Sequence, residues 1–111
     1  MEVLGAAMQR SFELRMLAYF RADPSSKTEN NSDDEIRRTI ALGIDRAYRY
    51  DIVRETDVQR YIKYMFIYGP GFDTDPKIAR IGKILRSDVV GSKKMDRIDE
   101  YQLSVTKPFE S

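Results

Sequence analysis

Tyr61-Ile62-Lys63-Tyr64-Met65-Phe66-Ile67-Tyr68-Gly69-Pro70-Gly71-Phe72-Asp73-Thr74-Asp75-Pro76 sets aromatic and aliphatic side chains around almost a full helical circumference, stops on Gly-Pro-Gly and restarts on Asp-Pro. A helix apolar on nearly every side must be enclosed, either by its own domain or by another protein. Gly69 stands where a glycine ends a helix in a left-handed turn, and Pro70 blocks extension. Upstream, Thr56-Asp57-Val58-Gln59 has the capping-box pattern and places the helix start. Val58, Tyr61, Ile62 and Met65 form its main face; Tyr64 and Ile67 point away from that face, with Phe66 and Tyr68 on the flanks.

Towards the N-terminus, Ser32-Asp33-Asp34-Glu35 is a second capping box and opens a helix to about Tyr50. Ile36, Ile40, Ile44 and Ala47 share one face. Gly43, at a cost of about 1 kcal/mol relative to Ala in mid-helix, marks a close helix crossing. Asp51 to Glu55 is a short connection anchored by Ile52 and Val53. A first helix is expected over 3–21, with Leu4, Met8, Phe12, Met16 and Tyr19 in one stripe. Val3, Ala7, Leu14 and Leu17 make a second stripe on its far side. Pro24 ends this helix, and 22–31 reads as a flexible linker of turn formers.

Towards the C-terminus, Asp75-Pro76 opens a fourth helix carrying Ile78, Ile81, Ile84 and Leu85. Val89 to Ser92 is a turn. A fifth helix over 93–103 buries Met95, Ile98 and Leu103, and 104–111 is a loose tail. The expectation is one all-α domain over 1–111, a bundle of four to five helices.

Composition narrows the function classes. The chain has 111 residues, 19 Lys or Arg against 18 Asp or Glu, and no Cys, His or Trp. Disulfides, thiolate nucleophiles, imidazole bases and thiolate or imidazole zinc sites are therefore excluded. The near-neutral total leaves a nucleic-acid binder in need of a locally sorted basic face. Met1-Glu2-Val3-Leu4 lacks a signal peptide's basic region, and charges interrupt every apolar run, so a cytoplasmic protein without a membrane span is expected.

Asp73-Thr74-Asp75 is the one acidic pair with metal-like spacing, but no distal Glu completes a calcium loop. Asp75 reads instead as a helix cap, and Asp73 as fixing the turn through backbone N–H groups; with Gly69 and Gly71 they shape it. No metal site, cofactor or catalytic set is expected. Residues 36–64 carry seven Arg or Lys against four acids, which raises a helix-turn-helix regulator led by Thr56, Gln59, Arg60 and Lys63. Tyr64 and Ile67 spoil its groove-facing side, and a solvated basic flank explains it better. The tyrosine-rich run fits a protein interface, where rigid aromatics give contact area at modest entropic cost.

Gly43-Ile44-Asp45-Arg46-Ala47, Tyr50-Asp51-Ile52, Glu55-Thr56-Asp57-Val58, Tyr61-Ile62, Met65-Phe66 and Gly69 to Pro76 together resemble small bacterial proteins encoded beside type VI secretion effectors. The likeness covers about residues 36–86, without the Trp that follows the Asp-Pro turn in that family. It implies a non-enzymatic co-chaperone or adaptor, stabilising a larger cytoplasmic chaperone, a secreted effector or both. Tyr64, Ile67, Tyr68 and Phe72 are the expected contact residues, with Leu14 and Leu17 second. An immunity-type inhibitor of one toxin is the alternative beside the DNA-binding regulator, and a homodimer stays open.

Overall fold

The computed structural model describes residues 6–106. They form five α-helices and no strand: α1 (Ala6–Ala22), α2 (Asp33–Arg49), α3 (Glu55–Tyr68), α4 (Ala79–Leu85) and α5 (Gly91–Thr106). Val3, Leu4 and residues 107–111 lie outside the described residues, as do the side chains of Ala7 and Met8. The all-α bundle expected from periodicity is the observed architecture.

α2 begins as its capping box requires: the Glu35 N–H donates to Ser32 Oγ at 3.1 Å, and the Ser32 N–H donates to Glu35 Oε1 at 2.9 Å. It ends at Arg49, and two residues on Asp51, with a φ of 64°, turns the chain left-handed without a glycine. Ile36, Ile40, Ile44 and Ala47 are all buried. Ile52 anchors the following connection in the core, whereas Val53 stays exposed.

α3 starts one residue before the expected cap, at Glu55, and no side chain caps it. Thr56 lies inside the first turn, so its capping box does not form. Asp57 is drawn inward instead, accepting from Arg60 and from the Ser92 hydroxyl of α5. A β-carbon built on Gly43 would lie 2.5 Å from Ile62 Cγ1 and 2.9 Å from Met65 Sδ, so α2 and α3 cross at the glycine.

Contacts along α3 fix the remaining helices. Arg15 pairs with Glu55 at 3.1 Å and Asp23 with Lys63 at 3.4 Å, so α1 runs parallel to α3. Phe12, Met16 and Phe20 bury its inner face, and Phe20 meets Phe66 at 5.0 Å between ring centroids. Tyr19 leaves the expected stripe and is exposed.

The segment expected as a flexible linker is pinned. Arg21 donates to the carbonyls of Thr28 and Asn31, both at 2.6 Å, and to Asp33 at 2.8 Å. The Thr28 hydroxyl returns a hydrogen bond to the Phe20 carbonyl at 3.0 Å, and Ser26 and Thr28 are buried. Polar anchoring replaces the missing apolar residues.

α4 is preceded by a 3-10 turn over Pro76–Ile78, capped by Asp75 accepting from the Lys77 N–H at 2.9 Å. α5 is longer than expected at both ends: it opens at Gly91, and residues 104–106 continue the helix instead of starting a tail. Met95 and Ile98 are buried, while Leu103 is exposed.

Replacing Gly43 with Ala tests the crossing. Helix propensity alone favours Ala by about 1 kcal/mol, but overpacking costs about 1–3 kcal/mol. Urea unfolding should show a net loss of about 1 kcal/mol; a gain in stability would mean that the helices are farther apart than described.

Candidate partner-binding site

The expected contact residues divide by burial. Phe72 is 1% exposed and packs on Tyr61 at 5.0 Å, so it belongs to the core. Tyr64 is 6% exposed because α5 covers the side of α3 opposite its main face; its hydroxyl donates to Asp99 at 2.6 Å. Phe72 offers no surface and that expectation is corrected; Tyr64 is not the exposed contact expected, and only its edge reaches a groove wall. Tyr68 is half-buried and donates to the Gln102 side chain. Ile67 is 36% and Leu14 50% exposed, while Leu17 is half-buried against the core.

Ile67 does not stand alone. Tyr19 of α1 and Leu103 of α5, which is 57% exposed, line the same groove of about 480 Å³. Gln59, Lys63, Arg60, Tyr64, Asp99 and Gln102 give it polar walls, joined by Ser25. Leu14 and Leu17 do not line it. Tyr19 is expected in an apolar stripe and Leu103 as buried; the helical period marks which residues share a stripe, but not where a neighbouring helix stops covering it.

The polar wall is built around one guanidinium. Arg60 donates to Asp57 at 2.9 Å, to Asp96 at 2.8 Å and to Asp99 at 2.7 Å. Burial pulls its pKa down, but the hydrogen bonds to Asp96, Asp99 and Asp57 outweigh this and raise it. Burial, then the bond to Asp99, pushes the Tyr64 phenol well above its ordinary value. Asp57 has one oxygen on Arg60 and the other on Ser92. With the serine hydroxyl held by a carboxylate that a guanidinium already occupies, the pair is not an activated nucleophile.

The turn residues split as well. Gly69 has a φ of 107°, which favours glycine, and its N–H donates to the Met65 carbonyl at 2.9 Å. Gly71 has an ordinary φ of −96° and space around it, so the turn does not demand a glycine there. Asp75 is a cap, whereas Asp73 bonds no backbone N–H group among the described residues: it accepts from the Tyr50 hydroxyl at 2.6 Å and faces Arg46 at 3.8 Å, tying the turn to α2. Arg46 in turn donates to the Pro70 carbonyl at 2.6 Å.

Among the described residues no group of three acidic side chains is arranged to hold a metal, and no helix is long and apolar enough to cross a membrane. No family model, curated protein or solved structure matches the chain.

Arg60→Ala should lower stability by about 2 kcal/mol in urea unfolding, since it leaves the buried Asp57 without its cation. Arg49→Ala removes an exposed helix pair with Asp45 and should change stability by less than about 0.5 kcal/mol. Equal effects would show that the Arg60 network adds no more to stability than an exposed helix pair.

Alkaline pH gives a second readout. Burial, then donation to Asp73, pushes Tyr50 up to about 12 in the folded chain. An unfolded phenol ionises near pH 10, so above that pH the folded state retains the proton that the unfolded state releases. Stability is therefore intact below about pH 10 and falls up to about pH 12. Melting curves across this range should show the fall, with a shallower slope for Tyr50→Phe; an unchanged slope would refute Tyr50 as a contributor.

Proposed function

We propose that the chain is a protein-binding adaptor that docks a larger protein on the groove between α1, α3 and α5. The observation carrying this reading is the grouping of Tyr19, Ile67 and Leu103, three exposed apolar side chains from three helices, around one concavity with a hydrogen-bonded wall. Interfaces commonly combine such an apolar centre with polar surroundings. The sequence resemblance supplies the narrower identity: a non-enzymatic co-chaperone that stabilises a cytoplasmic chaperone or a secreted effector in type VI secretion.

The helix-turn-helix alternative loses its leading cations. Arg60 is surrounded by three aspartates and Lys63 pairs with Asp23, so neither presents free charge to phosphate. Tyr64, which that reading placed on the exposed side, lies under α5.

Ile67→Asp combined with Leu103→Asp tests the adaptor. Both side chains are exposed, so helix content and melting temperature should stay close to those of the parent. The parent should retain one larger protein from its native cytoplasm at fixed stoichiometry, and the double variant should lose it. Capture that survives the double substitution would place the contact elsewhere.

A further inference from the structure

The net charge of +1 conceals a sorted distribution. Residues 76–97 carry seven Lys or Arg against two Asp, while the rest of the chain carries twelve against sixteen. Lys94 is buried and donates to the Tyr50 carbonyl at 2.8 Å. The other six, Lys77, Arg80, Lys83, Arg86, Lys93 and Arg97, are exposed, and none makes a salt bridge among the described residues. Arg15, Arg21, Arg46 and Arg60 on the first three helices have carboxylate partners, whereas Arg37 and Arg38 of α2 are exposed and make no salt bridge among the described residues but line no groove with apolar walls.

Two of the unpaired cations line a groove of about 700 Å³ between α4 and α5. Arg80 and Ile84 come from α4; Arg97, Glu100, Tyr101 and Ser104 come from α5. Each wall thus has an arginine and, four residues on, an apolar side chain resting on the core. Unpaired guanidiniums beside apolar side chains suit carboxylates that arrive with an apolar face. Like charges gathered on one side also raise the local potential and attract an acidic partner from solution.

We propose that the α4–α5 groove is an interaction surface for an acidic amphipathic segment of a protein. Its apolar side chains seat on Ile84 and Tyr101, and its carboxylates meet Arg80 and Arg97. Nucleic acid fits less well. The groove's α4 wall, with seven residues, spans only about 10 Å along its axis, too short to follow a phosphate backbone. This surface is independent of the Tyr19–Ile67–Leu103 groove, which lies on the other flank of α5.

The test is selection from a random peptide display library on the folded chain, with Arg80→Glu/Arg97→Glu as counter-target. Enriched peptides should be net acidic, with apolar residues at helical spacing. They should bind the parent about ten-fold or more tightly than the variant, and weaken as salt rises. Amide shifts on binding should centre on Arg80, Ile84, Arg97 and Tyr101, a mapping that needs no variant. Arg37→Glu/Arg38→Glu, which reverses exposed cations on α2, and Ile67→Asp/Leu103→Asp should both leave this binding unchanged. No enrichment, neutral or basic winners, indifference to the Arg80/Arg97 reversal, or tighter binding of an oligonucleotide would each overturn the proposal.

Discussion

Arg60 decides how α5 closes over α3. Burial of apolar surface has no direction, so the aromatic faces of α3 would accept a covering helix at many angles and registers. Directional bonds choose among them. Asp57, Arg60, Tyr64 and Tyr68 follow one line along α3, three or four residues apart, and engage Ser92, then Asp96 and Asp99, then Gln102 in the same order along α5. That order makes the helices parallel and fixes their register. Such a network gives specificity more readily than net stability, since each charge loses hydration before it gains a partner.

The other faces of α3 are closed by shape. Gly43 lets α2 approach Ile62 and Met65, and Phe20 brings α1 onto Phe66. Tyr61, at the centre, is fully buried with no hydrogen-bond partner for its hydroxyl among the described residues. An orphaned buried hydroxyl costs about 1–3 kcal/mol, a cost that the packing of Tyr61 against Tyr50 and Phe72 has to offset.

Local signals made much of this legible in advance. The Ser32 capping box, the Gly43 crossing and the buried stripe of α2 depend on residues a few positions apart, and each was read correctly. Tyr64 was misplaced because periodicity reports that α3 has two apolar faces but not that the chain returns to cover the second, and Phe72 because the turn after Pro70 folds it back onto Tyr61. Asp57 was read as part of a cap because its partner, Ser92, is 35 residues away. The 22–31 segment has few apolar residues, and its order depends on main-chain carbonyls held by Arg21, which leave no trace in composition. Of the three exposed apolar side chains of the candidate groove, only Ile67 is among the expected contact residues.

The α3–α5 ladder also governs the cost of recognition. Two of the three helices around Ile67 and Leu103 are held together before any partner arrives, and the wall side chains Arg60, Tyr64 and Asp99 are locked in hydrogen bonds. Little backbone or rotamer freedom is left to lose there on complex formation. Association on such a preorganised surface approaches rigid-body docking, in which differences among ligands are expressed mainly in residence time.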